Sequence, residues 1–258
     1  MGFRQDEKAP EGRNSPFDVF TVLGHDLKSP LNAVEAYLEI LRGKVLGDSV
    51  DAYLAILGNS IARLHQMREL ITDVVDWARI QTPDSPRSLA ALDVGKTARG
   101  VIERHREAAR AAGVSLSEEI EDGLIMQAVP REIELVIGHL VDNAIKYNRP
   151  GGAVRIAAGR AGSGIALDVS DTGIGLEPGE QSLLFKEFTR VKTSKTQDIR
   201  GTGLGLAIVK RLVDAYMGRI CVESEPDKGT TFSLFLPGDE SPVPETRKDL
   251  QQGLLSCE

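Results

Sequence analysis

The sequence predicts an α+β chain of two domains: an antiparallel helical hairpin that pairs with a second copy as a dimeric four-helix bundle, followed by an α/β sandwich with a mixed sheet. Three observations predict it. Apolar residues at Phe20, Leu23, Leu27, Leu31, Val34, Leu38, Leu41 and Val45 recur in alternating steps of three and four, the seam of a bundle helix. Leu54, Leu57, Ile61, Leu64, Ile71, Val74 and Ala78 repeat that spacing. Beyond Gln81 the pattern changes to short alternating runs interleaved with helical ones, as in a sheet covered by helices.

Residues 1–14 are polar and include Pro10 and Gly12, so they read as a tail. The hairpin domain spans 15–82. Its first helix runs from 15 or 16 to about 44, a short break follows, and Ser49 can cap the second helix. Two seams alone cannot enclose a core, which is why a second copy is expected. Pro83 and Pro86 mark a linker over 83–88. The second domain spans 89–237, with strands over 89–94, 114–118 and 124–128 and helices over 94–112 and 130–147. Strands over 154–158 and 165–170, a helix over 204–216 and a closing hairpin over 219–224 and 230–236 complete it. Pro130 opens its helix where the missing N–H does no harm. Residues 238–258 read as a C-terminal tail with a short helical pattern over 249–255.

A hydrophobic content of 41% with 27% charged residues suits a packed globular chain rather than a disordered one. No apolar run is long enough for a membrane span and the N-terminus lacks a signal core, so a cytoplasmic chain with no membrane segment is expected. A net charge of -7 without a basic run argues against nucleic acid as a partner. Cys221 and Cys257 have no metal-site spacing.

Chemistry concentrates in a few stretches. In Gly24-His25-Asp26-Leu27-Lys28-Ser29-Pro30-Leu31 the histidine lies about 200° round the helix from Leu23, off the seam. As an isolated residue it would be surface. Beside it, Asp26 can hold one imidazole nitrogen and leave the other nucleophilic, Lys28 can meet a phosphate, and Pro30 would bend the helix just past the histidine. In the second domain, Asp171-Thr172-Gly173-Ile174-Gly175 follows a strand, and Gly201-Thr202-Gly203-Leu204-Gly205 opens a helix. Each glycine loop can bring backbone N–H groups to phosphate oxygens, although either alone is a weak signal. The helix over 130–147, ahead of both loops, carries Asn143, whose amide oxygen suits a hard cation such as Mg²⁺, with Lys146 for phosphate and Tyr147 for a base.

Taken together these stretches resemble the sensor histidine kinases of bacterial two-component systems, over about residues 17–237. GHDLKSPL is similar to that family's H box, HLVDNAIKY to its N box, DTGIG and GTGLGL to its glycine boxes and LFKEF to its F box. The resemblance implies a phosphoacceptor hairpin followed by an ATP-binding domain of the kind shared with gyrase, Hsp90 and MutL. It implies that His25 accepts the γ-phosphoryl of ATP, that Asp26 assists as base and orienter, and that Asn143 binds Mg²⁺. Asp171 would accept a hydrogen bond from the adenine amino group, and Lys146 and Tyr147 would touch phosphate and base. Gly173, Gly175, Gly201, Thr202, Gly203, Leu204 and Gly205 would shape the pocket. Residues 191–200 would form a lid carrying Lys192, Lys195 and Arg200, anchored by Phe185 and Phe188. The implied partners are a second copy of the chain, a response-regulator receiver domain whose aspartate takes the phosphoryl group, and a sensory protein or missing sensor domain. Two positions depart from the family pattern: His139 stands four residues before Asn143, where Asn is frequent, and Ser29 stands four after His25, where Thr or Asn accompanies phosphatase action. A nucleotide-binding scaffold and a related ATPase or serine kinase are the competing readings.

Overall fold

The computed structural model describes residues 16–43, 47, 50–81, 87–190, 196, 199 and 201–238. The expected tails, the Ser49 cap, most of the linker, and the lid positions Lys192, Lys195 and Arg200 lie outside the described residues. The chain separates into two compact units, one up to Thr72 and one from Asp73 onward.

The first unit contains α1 (Pro16–Arg42) and most of α2 (Val50–Gln81). A proline opens α1, where a helix has no N–H bond to lose, and the helix continues through Pro30. An Arg42–Glu39 ion pair of 2.6 Å and the Gly43 N–H donating to the Glu39 carbonyl close its last turn. Val34 and Leu70 are each only 6% exposed, yet Leu31, Leu38, Leu54, Leu57, Ile61, Leu64 and Ile71 keep between 42% and 58% of their surface open. Seam positions predicted from spacing are therefore mostly unburied within one chain.

The second unit opens with the end of α2, where Val74, Trp77 and Ile80 pack against the unit's core. It continues as β1 (Ala90–Asp93), α3 (Val94–Ala111), β2 (Ser115–Ile120), β3 (Ile125–Ala128) and α4 (Pro130–Lys146). Then come β4 (Ala153–Ala161), β5 (Gly164–Asp171), a single 3₁₀ turn (Gln181–Leu183), α5 (Gly205–Ala215), β6 (Arg219–Glu225) and β7 (Gly229–Pro237). Five strands form one sheet in the order β2-β4-β5-β7-β6. The β2–β4 pair is parallel and the other three are antiparallel, which makes the mixed sheet expected from the sequence. β3 does not join it. It pairs with β1 as a separate ribbon, Leu92 opposite Met126, a pairing that spacing alone could not reveal.

The core lies between this sheet and its helices. Ile165, Leu167 and Val169 alternate inward along β5 and Phe232, Leu234 and Leu236 along β7. They share one core cluster with Val101 and Ile102 of α3, Ile133, Val136, Ile137, Leu140 and Ala144 of α4, and Ile208 and Leu212 of α5. Burying each such side chain is worth about 1.5–3 kcal/mol. The Asp93 carboxylate accepts the Lys96 N–H at 3.1 Å to start α3, and Pro130 starts α4.

The first turn of α4 is tied to the end of α5. Tyr216 Oη donates to Glu132 at 2.6 Å and accepts the Val129 N–H at 2.9 Å, while the Arg87 guanidinium lies 4.5 Å over its ring. Burial and the Glu132 carboxylate push the phenol up to about 12, so it stays a donor throughout the physiological range. This clasp fixes the helix whose far end carries Asn143.

Candidate functional site

One cleft in the second unit gathers three segments. The C-terminal end of α4 supplies Asn143, Lys146 and the capping Tyr147, the end of β5 and the loop after it supply Asp171, Ile174 and Gly175, and the turn into α5 supplies Gly201, Thr202, Gly203 and Gly205. Sequence motifs single out these three stretches, and the fold brings them together from a span of some sixty positions.

Asp171 is the last residue of β5, opposite Val154 of β4. Its Oδ1 accepts the N–H of Gly173 at 2.8 Å and of Thr230 at 3.2 Å. Burial raises its carboxyl to about 6 from the ordinary 3.8, and the two N–H groups pull in the opposite direction without cancelling that effect. The carboxylate is thus held in place and kept partly dry, suited to accepting a hydrogen bond from a ligand.

The glycines permit close backbone approach. Gly175 has φ of +61°, and a Cβ there would lie 1.9 Å from the Glu225 carbonyl oxygen. Gly203 has φ of +71°, with the backbone of Phe188 and Thr189 2.9 Å from where its Cβ would be. The Ile174 N–H donates to the Tyr147 carbonyl at 3.0 Å, which pins the first glycine loop to the end of α4. Among the described residues, nothing lies within 4 Å of where a Gly201 Cβ would stand.

At the other end of the cleft, Thr202 Oγ1 accepts the Leu204 N–H at 3.1 Å and donates to Asp73 at 2.6 Å. Lys146 pairs with Asp142 at 2.8 Å, one turn back on α4. His139 also lines the cleft, its Nδ1 3.0 Å from where a Gly205 Cβ would stand. Burial depresses the imidazole below its usual range despite the Asp73, Asp142 and Asp76 carboxylates around it, so the ring is neutral near pH 7. Among the described residues no three His, Cys, Asp or Glu side chains gather as a metal cage. A hard cation at Asn143 would share ligand and water oxygens, as Mg²⁺ does on phosphates.

Other predicted positions fall elsewhere. Leu204 is fully buried in the core and contributes its backbone at the start of α5. Gly173 lies under the cleft against the Tyr147 carbonyl. His25 and Asp26 lie within α1, in the other unit. Phe188, with φ of 56°, stacks edge-on against Trp77 at 5.9 Å. Sequence reasoning missed Thr230, which shares the hold on Asp171, and Arg190 and Asp73, which line the cleft. Asp73 is a polar residue on α2 that no motif marks.

Comparison with known proteins agrees with this architecture. Residues 18–83 match the family described as His Kinase A (phospho-acceptor) domain, and residues 128–240 match the Histidine kinase-, DNA gyrase B-, and HSP90-like ATPase family. The chain is 31% identical over 232 residues to the Sensor-like histidine kinase SenX3 of Mycolicibacterium smegmatis, covering 90% of this chain and 59% of that protein. It is 28% identical over 226 residues to the Circadian input-output histidine kinase CikA of Synechococcus elongatus, covering 85% of this chain and 30% of that protein. The chain therefore spans less than two thirds of the length of these curated relatives. The fold is also that of histidine kinase ThkA in its complex with response regulator protein TrrA, with a TM-score of 0.64 at 19% identity over 86% of this chain and 61% of that one. With both domain families matched in order, the chain belongs to the sensor histidine kinases of two-component systems.

Proposed function

We propose that this protein binds ATP with Mg²⁺ in the cleft, phosphorylates its own His25, and passes the phosphoryl group to an aspartate of a response-regulator receiver domain. The convergence of Asn143, Lys146, Tyr147, Asp171 and both glycine loops on one cleft carries this reading, in a chain whose other unit holds His25 inside a matched phospho-acceptor domain. Asp171 accepts from the adenine amino group. Tyr147 covers the base, Lys146 meets a phosphate oxygen, and Thr202 with the backbone of Gly201, Gly203 and Gly205 holds the phosphate end. Asn143 supplies the protein oxygen for Mg²⁺, which bound there would neutralise charge on the phosphates.

The neutral His25 ring attacks the γ-phosphorus, the bond to the β–γ bridging oxygen breaks, and ADP leaves. Asp26 orients the ring and takes the proton from its other nitrogen. A receiver aspartate oxygen then attacks the phosphorus and the P–N bond breaks. The binding of TrrA by ThkA supports a receiver as the partner. A second copy covers the exposed seam residues of α1 and α2, and a sensory protein or a domain outside this chain supplies the signal.

The His25→Gln variant is expected to lose all phosphate incorporation from labelled ATP while binding the nucleotide as before. Labelling at the unmodified level would overturn the assignment of His25. Replacing Leu31 and Leu38 together by Lys, which places unpaired charge at the seam, is expected to give monomers by light scattering. A variant that stays dimeric would place the interface elsewhere.

Asp171 makes binding sensitive to pH. Its folded carboxyl lies near 6, above the ordinary 3.8, so the folded chain holds that proton more tightly than the unfolded one. The cost of burying the ionised group is absent below about pH 4 and fully present above about pH 6. The ionised form is the better acceptor for adenine, so ATP affinity is expected to fall as pH drops from 7.5 to 5. Asp171→Asn is expected to weaken binding about 10–100-fold and to flatten that step, since a hydrogen bond to a charged group is worth about 1.5–3 kcal/mol. Calorimetric titration across this range checks both, and an unchanged pH profile in the variant would remove Asp171 from base recognition.

A further inference from the structure

The end of α2 puts a carboxylate where the preceding reading puts phosphate. Asp73 begins the second unit and its side chain lines the cleft. Its Oδ2 accepts the Thr202 hydroxyl at 2.6 Å, within the glycine turn that opens α5. Burial and Asp142 work against its charge, while the Thr202 hydroxyl and Lys146 favour it, as His139 does when its ring carries a proton. A carboxylate taken out of water needs such partners, because an unpaired buried charge is strongly disfavoured.

The segment around Asp73 is anchored independently of the cleft. Asp76, only 8% exposed, pairs with Arg131 at 3.1 Å. Trp77 packs on Phe188, and Gln81 donates to Glu187 at 3.2 Å. These contacts hold the helical end so that Asp73 is presented to Thr202. On the facing helix, His139 Nε2 is buried with no hydrogen-bond partner among the described residues. That orphaned atom marks the same end of the cleft as a place prepared for a polar ligand.

We propose that Asp73 is a resident anion of the nucleotide site: its carboxylate holds Thr202 and shares the cleft with His139 and Lys146, and the phosphates of an incoming nucleotide compete with it for these partners. This rests on the reading of the cleft as an ATP site. Asp73 then sets how strongly the site discriminates by phosphate charge. The linkage is reciprocal: whatever loosens the helical end raises affinity for the triphosphate, and the triphosphate loosens the helical end. A site whose competent form is one tenth populated loses about tenfold in apparent affinity, which is the scale expected here.

The experiment compares the full chain with its Asp73→Asn and Asp73→Ala variants. Equilibrium titrations use ATP, ADP and adenosine, each with and without Mg²⁺, and circular dichroism verifies the fold. Both variants are expected to bind ATP about tenfold more tightly, with or without Mg²⁺, and adenosine unchanged. Equal or weaker ATP binding would overturn the proposal, and a loss confined to Mg²⁺-containing samples would make Asp73 a metal ligand instead. Equal tightening of adenosine would also overturn it, since the effect would then be a general opening of the cleft. If neither the unmodified chain nor the variants bind ATP, the ATP site itself fails and this inference falls with it.

Discussion

The cleft depends on one constraint, the burial of the Asp171 carboxylate between two backbone N–H groups at the end of β5. Those donors come from different places: Gly173 from the loop that follows, Thr230 from the start of β7. To satisfy both, the loop must turn back immediately beneath the end of α4, so closely that Gly175 nearly touches the Glu225 carbonyl. The same turn gives the Ile174 N–H to Tyr147 and so sets the last turn of α4 against the sheet. The position of Asn143 and Lys146 thus follows from how a single acidic side chain is kept in place.

The two ends of the cleft are built differently. At the Asp171 end, a lone carboxylate accepts from fixed backbone donors and stays only partly desolvated. At the Thr202 end, Asp73, His139, Lys146 and Asp142 balance one another, with burial pushing Asp73 upward and His139 downward. Burial disfavours the charged form of each while each favours the charged form of the other, so the set responds when a multiply charged ligand arrives. One end is suited to recognising a shape and the other to sensing charge.

Much of this was legible in the sequence because it is local. The α4 seam at Ile133, Val136, Ile137, Leu140 and Ala144 is a helical period, and all five side chains are buried. The strand alternation at Ile165, Leu167 and Val169 is a period of two, and the glycine loops carry their own conformational signature. Spacing could not reveal that β3 leaves the main sheet for β1, since pairing is decided by the twist and packing of elements far apart in the chain. Nor could it show that Leu204 of the second glycine loop faces the core, because a motif does not say which of its residues lend only backbone. Thr230 and Asp73 were invisible for a related reason. A single polar residue in a strand or helix becomes significant only through a partner placed by tertiary structure, here Asp171 and Thr202.

The proposed function requires the cleft to serve one nitrogen nucleophile on α1. Its most direct test is to incubate the purified chain with Mg²⁺ and ATP, digest it at neutral to alkaline pH, and locate the phosphoryl group by mass spectrometry. The account predicts an acid-labile, alkali-stable phosphoryl group on the His25 ring. An acid-stable group on Ser29 or another hydroxyl, or a label on His65, His105 or His139 with His25 unmodified, would contradict it.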